Sequence, residues 1–122
     1  MGQLEVYVVE GKNIKDTDIA GQADPYVELW FEQNKKKRTE ARNNTLTPVW
    51  DTRFRFPVNP ASDKILHLRL SDDDVGADEV IGKVDLDISN IYKDLYEEKW
   101  VHLPAKNQTS DGEIRLVLEY FP

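Results

Sequence analysis

The chain has 122 residues, no cysteine, and 23 acidic against 16 basic side chains, giving a net charge of −7. That length suits one domain with a single core; the lack of cysteine excludes a disulfide framework or cysteine zinc site, and the acidic balance argues against nucleic acid as a partner. No run approaches the roughly 18 apolar residues of a membrane span, no secretory leader opens the chain, and Val6 stands where a myristoylation signal needs Ser or Thr, so one cytoplasmic domain over residues 1–122, touching membranes at most peripherally, is expected.

Alternation of apolar and polar residues with period two recurs along the chain and predicts half-buried antiparallel strands. Leu4, Val6 and Val8 alternate with Glu5 and Tyr7, then Val27, Leu29 and Phe31 with Glu28 and Trp30. Phe54, Phe56 and Val58 follow, separated by Arg55 and Pro57, and Leu66, Leu68 and Leu70 are separated by His67 and Arg69. Val84, Leu86 and Ile88 make the next run, and Ile114, Leu116, Leu118 and Tyr120 the last. Two weaker runs, Lys37 to Arg42 and Trp100 to Leu103, bring the expected count to eight strands. Ser89 to Tyr96 is expected to form a turn or two of helix, with Ser89 as N-cap and Ile91 and Leu95 on one face. Turn residues at 32–34, Thr47-Pro48, Asn59-Pro60 and Ser110-Asp111-Gly112 separate the strands, and short strands at this spacing imply an all-β sandwich. The tryptophans and tyrosines are expected in core and rim packing. Asn43-Asn44-Thr45 and Asn107-Gln108-Thr109 match the glycosylation pattern by chance on a chain expected in the cytoplasm.

Two segments interrupt the pattern where strands end. Asp18 and Asp24 flank Ala20-Gly21 in the first, and Asp72, Asp73, Asp74, Asp78 and Glu79 crowd the second without a basic residue among them. Two carboxylates about 4 Å apart repel by about 1 kcal/mol in bulk water and about 4 kcal/mol at the effective dielectric of a protein surface. Hard oxygen donors on loops suit calcium better than magnesium or zinc. Composition leaves a second reading open, in which these are ordinary solvated turn acids. An EF-hand loop starting at Asp72 is excluded, because Gly76, Ala77 and Lys83 stand where an acid or amide, a glycine and a bidentate glutamate belong. Paired-carboxylate catalysis is the competing enzyme reading, yet no apolar pocket signature surrounds the acids, and His67 and His102 lack a partner motif.

The stretch Thr17-Asp18-Ile19-Ala20-Gly21-Gln22-Ala23-Asp24-Pro25-Tyr26-Val27 resembles the first calcium loop of C2 domains, in the spacing of its aspartates and in the Asp-Pro-Tyr-Val that closes it. Thr45-Leu46-Thr47-Pro48-Val49-Trp50 is similar to the family's Thr-Leu-Asn-Pro-x-Trp run, and Leu70-Ser71-Asp72-Asp73-Asp74 through Val80-Ile81-Gly82 is similar to its third loop. The resemblance covers nearly the whole chain. It implies an eight-stranded antiparallel Greek-key β-sandwich. Because the chain opens at Gly2 to Val8 and closes at Gly112 to Leu118, the second of the family's two circularly permuted topologies is implied.

The same resemblance implies calcium-dependent binding to anionic phospholipids such as phosphatidylserine, carrying a larger parent protein reversibly to membranes, without enzymatic activity. The metal ligands implied are Asp18, Asp24, Asp72 and Asp74, with the carbonyls of Thr17 and Asp73 and a fifth carboxylate from Glu79 or Asp78, around two calcium ions. Val75-Gly76-Ala77 lacks the oxygen donor of a third site. Ile19 and Val75 stand where the family places apolar residues that enter the lipid interface. Lys35, Lys36, Lys37 and Arg38 resemble the basic cluster that binds phosphoinositides in some members, a solvated hairpin being the other reading. The alternative function on this fold is a calcium-independent module for protein or phosphoinositide interaction; the presence of Asp18, Asp24, Asp72 and Asp74 favours calcium.

Overall fold

Strands with one apolar face must bury it, and here two four-stranded antiparallel sheets bury theirs against each other. The computed structural model describes residues 2–14, 23–73, 76–104 and 110–122. In chain order the elements are β1 (Gly2–Lys12), β2 (Pro25–Trp30), β3 (Lys37–Arg38), β4 (Val49–Val58), β5 (Ile65–Asp72), β6 (Glu79–Asp87), α1 (Ile91–Asp94), β7 (Tyr96–Pro104) and β8 (Ser110–Phe121). One sheet has the order β4-β1-β8-β7 and the other β3-β2-β5-β6. All eight expected strands are present, and the first and last strands lie side by side in the middle of one sheet, as the second permuted topology requires.

The alternating residues read from the sequence form the core. Leu4, Val6 and Val8 meet Leu116 and Leu118 within one sheet, and Val27, Leu29, Leu66, Leu68 and Leu70 face them from the other, all fully buried. Each such side chain contributes about 1.5–3 kcal/mol. The lateral edges of the sandwich differ. Where β6 passes β7, a Cβ at Gly82 would lie 2.8 Å from the Leu103 carbonyl oxygen, so the closing glycine of Val80-Ile81-Gly82 permits a backbone approach that any side chain would block. The other edge is bridged toward the acidic end, where Arg42 donates to the Val49 and Trp50 carbonyls, and is open between β3 and the lower half of β4.

Strand direction sorts the loops to two ends. β1, β3, β5 and β7 run toward the acidic end while β2, β4, β6 and β8 run away from it, since Lys12 pairs with Glu113, Pro25 with Asp72 and Asp72 with Glu79. The far end holds the 31–36 turn, the 59–64 loop and α1. Both chain ends are there too, with Gly2 paired to Val58 and Gln3 to Phe121.

Three local expectations are corrected. β3 is two residues long rather than running to Arg42, because the Thr39 hydroxyl takes the Val27 N–H at 3.0 Å while its own N–H bonds the Val27 carbonyl at 2.9 Å, so a side chain replaces a ladder partner. β7 begins at Tyr96 rather than Trp100; its lower half carries the Glu97–Lys99 ion pair at 2.6 Å where alternation looks for apolar residues. The helix is a single turn with Asn90 at the N-cap position and no side-chain capping bond. Ser89 is not its cap, because its hydroxyl and N–H both bond Asp87. Leu95 leaves the helix axis at φ 70 with an exposed side chain instead of sharing the face of buried Ile91.

Candidate functional site

Asp72 continues the inward alternation of Leu66, Leu68 and Leu70, so parity drives a carboxylate into the mouth of the sandwich, where its exposure is 0 %. There its Oδ1 accepts the Asp24 N–H at 2.9 Å, and the Asp24 carbonyl accepts the Asp73 N–H at 3.0 Å. This reciprocal pair locks the end of the first acidic loop to the start of the second. Asp24 Oδ1 in turn accepts the Asn44 N–H at 2.6 Å, with Asn44 in the left-handed region at φ 53, where asparagine is well tolerated.

The motif residues around Asp24 each have a mechanical reason. Pro25 opens β2, where a missing N–H is harmless. Its carbonyl accepts both the Arg42 N–H and the Trp50 indole N–H at 3.0 Å. Trp50, 1 % exposed, packs its ring so close to Gly11 that a Cβ there would sit 3.1 Å away. The Pro48 carbonyl takes the Gly11 N–H at 2.8 Å. The Thr-Leu-Thr-Pro-Val-Trp run is thus a clamp that holds Asp24 in place. Tyr26, 4 % exposed, donates its hydroxyl to Asp78 Oδ2 at 2.5 Å, and the Arg38 guanidinium stacks on its ring at 3.7 Å. Burial, and then the Asp78 carboxylate, push the Tyr26 phenol up to about 12.

Asp24 and Asp72 are brought together; Glu79 lies beside them as the register partner of Asp72, with an exposed side chain, and Asp73 is exposed. Asp78 is exposed and held by Tyr26. Thr17, Asp18, Ile19, Asp74 and Val75 lie outside the described residues, and among the described residues no three potential ligands converge on one point. Two participants escaped the sequence reading. The sequence places Asn44 in a glycosylation pattern and at the head of the Thr-Leu-Thr-Pro-Val-Trp run without showing its bond to Asp24, and the Tyr26–Asp78 bond spans 52 positions.

The donor set suits a hard cation. A carboxylate at the inner mouth of an apolar sandwich is costly to bury unless it is paired or coordinates a metal. Its neighbours at this mouth, Asp24, Asp73 and Glu79, offer oxygen alone.

The basic run does not act as one surface. Arg38 pairs with Glu28, on the outer face of its sheet, and Lys37 pairs with Leu29, on the inner face. Lys36 Nζ lies 4.7 Å from the Trp30 ring, which stacks on His67, and Arg69 and Lys83 also flank that indole. Lys36, Arg38, Arg69 and Lys83 therefore share the outer face, while Lys37 turns to the open edge.

The sequence pattern of the family described as C2 domain matches residues 2–103. Synaptotagmin-5 of Arabidopsis thaliana is 32% identical over 130 residues, covering 100% of this chain and 23% of that protein. The calcium-dependent lipid-binding protein of Arabidopsis thaliana is 31% identical over 98% of this chain and 25% of its own length. Among solved structures, a C2 domain of plant extended synaptotagmin 1 superposes with a TM-score of 0.85 at 25% identity, covering 99% of this chain and 95% of that one. The chain spans about a quarter of the length of these two curated relatives.

Proposed function

Because the chain belongs to the C2 domain family, we propose that it is a non-enzymatic module that binds anionic phospholipid in response to calcium and brings a longer protein to the membrane surface. The observation that carries this reading is the fully buried Asp72 carboxylate locked to the Asp24 backbone at the mouth between the two acidic loops. The residues that would hold the metal are Asp18, Asp24, Asp72 and Asp74, with Glu79 as the fifth carboxylate and the Thr17 and Asp73 carbonyls; two ions fit this donor count. Glu79 is preferred to Asp78 because the Tyr26 hydroxyl already engages Asp78 and Glu79 stands next to Asp72 in register.

Without metal, each carboxylate at this end opposes approach to a bilayer at about −30 mV, at a cost of about 0.7 kcal/mol per charge. Bound calcium would supply compensating positive charge and open positions for lipid phosphate or carboxylate oxygens. The chain's own part is to fix the end of the first loop against the start of the second through the Asp24–Asp72 lock and the Trp50 clamp. Ile19 and Val75 would then enter the interface, where full burial of one such side chain is worth about 1.5–3 kcal/mol. The outer-face cations Arg38, Arg69 and Lys83 support phosphoinositide contact at about 1 kcal/mol for each basic residue.

Calcium titration by calorimetry, with and without phosphatidylserine liposomes, tests the reading. Calcium uptake that tightens with liposomes and vanishes in Asp72→Asn is expected. Liposome binding that is equal in calcium and in chelator would replace the proposal with the calcium-independent module.

A further inference from the structure

The open lateral edge of the sandwich, between β3 and the lower half of β4, holds a cleft of about 640 Å³ that lipid binding leaves without a role. Its floor is aromatic. Phe31 and Phe56 meet edge to face with ring centroids 5.3 Å apart, and Pro57 lies beside them. Its rim is basic, formed by Lys35, Lys36 and Lys37. Lys37 is there because its register partner Leu29 faces the interior; at the sheet edge the side chain crosses toward the opposite sheet and puts Nζ 5.4 Å from the centre of the Phe56 ring. Of the two acids on the rim, Glu32 pairs with Lys35 at 3.5 Å, while Asp63 keeps its charge and accepts the Asn59 N–H at 2.8 Å, so three lysines face two acids. Among the described residues, Lys36 and Lys37 make no ion pair. On a chain of net charge −7, this is a cationic hollow with an apolar base.

Its position selects the occupant. Phe31 lies at the end of β2 opposite Asp24, about 20 Å away along the strand. When the acidic loops face a bilayer the cleft points into solution, an orientation that rests on the function proposed above. We propose that this cleft docks an acidic linear segment of a partner protein carrying a phenylalanine, tryptophan or leucine anchor. The anchor seats on Phe31 and Phe56 as interface anchors seat in pockets. Flanking carboxylates meet Lys36, whose ammonium lies beside Trp30 at the outer lip, and Lys37, whose ammonium lies over the Phe56 ring.

The test uses a fluorescein-labelled synthetic peptide, EDEFDEL, in chelator and without lipid, so it is independent of the calcium reading. Saturable polarisation is expected, with amide shifts in the ¹⁵N spectrum centred on Phe31, Lys37, Phe56 and Ser62. The double variant Lys36→Glu, Lys37→Glu should weaken binding by about tenfold, the worth of two exposed ion pairs. The same peptide with serine in place of phenylalanine should bind no better than that variant. Lys37→Glu alone should leave calcium-dependent capture by phosphatidylserine liposomes unchanged. No saturation at millimolar peptide, undiminished binding by the double variant, or shifts centred away from the cleft would overturn the proposal. Occupation of the cleft by oleate but not by peptide would overturn it in favour of a fatty carboxylate. Loss of liposome capture by the unmodified domain would remove the membrane reading and leave the peptide result to stand alone.

Discussion

The Tyr26–Asp78 bond separates two roles that adjacent acids could play. Replacing Tyr26 with Phe keeps the ring under the Arg38 guanidinium and removes only the hydroxyl that reaches Asp78 Oδ2 at 2.5 Å. A hydrogen bond to a charged group is worth about 1.5–3 kcal/mol, and the exposure of Asp78 places this one toward the bottom of that range. For a chain of this size a loss of about 1.5 kcal/mol lowers the melting temperature by roughly 6 °C. Melts in chelator for Tyr26→Phe, Asp78→Asn and the double variant should give a coupling energy of about 1 kcal/mol between the two side chains. Calorimetry on the same proteins should find calcium affinity changed by less than about twofold in Tyr26→Phe and Asp78→Asn, whereas Glu79→Gln should weaken it by about tenfold, about 1.4 kcal/mol. If Asp78→Asn abolishes calcium binding and Glu79→Gln does not, the assignment of the fifth carboxylate is inverted and the reasoning from the Tyr26 hydroxyl is wrong.

Two further outcomes follow from packing and ionisation. Gly82→Ala should drive a methyl group into the Leu103 carbonyl oxygen and cost about 1–3 kcal/mol, read as a lower urea midpoint at unchanged slope; an unchanged midpoint would mean that β6 and β7 do not meet as described. Burial, and then the nearby Asp63, push the Tyr92 phenol from 10.0 up to about 12. Its contribution to stability is therefore complete below about pH 10 and is lost as pH rises toward about 12. Tyr92→Phe should flatten that alkaline loss and remove one late tyrosinate from the absorbance titration, and an unaltered titration would exclude Tyr92 as its source.

How much of this was legible beforehand depended on the range of the interaction. Alternation located six of the strands, because Leu66, Leu68 and Leu70 or Leu116 and Leu118 declare their face locally, whereas β3 and the lower half of β7 carry no such apolar alternation. The same parity, carried one step past Leu70, already places Asp72 inside the sandwich, so the most telling acid of the site was readable from the pattern. The early end of β3 was not, since it turns on whether the Thr39 hydroxyl or a backbone carbonyl takes the Val27 N–H. Nor was the division of Lys35 to Arg38 between two surfaces, which appears only when Leu29 is matched to Lys37 and Glu28 to Arg38. Ser89 looked like a helix cap because nothing in the sequence shows that Asp87 would claim its hydroxyl. The roles of Tyr26, Asn44 and the Phe31–Phe56 floor require contacts between distant segments, and local residue preferences carry no information about them.

The side-by-side placement of β1 and β8 has a mechanical consequence. The start of β1 and the finish of β8 leave the sheet at the same end of the sandwich, with Gln3 opposite Phe121. Tension applied to the two ends therefore pulls perpendicular to the strands, along the direction of the hydrogen bonds between them, and opens the ladder one pair at a time from Gln3–Phe121 inward. A shear geometry would load all those bonds together and resist far greater force. The domain would thus yield as a zipper at modest load, losing its central strand pair first, while the Asp24–Asp72 lock at the opposite end is the last part of the fold to feel the pull.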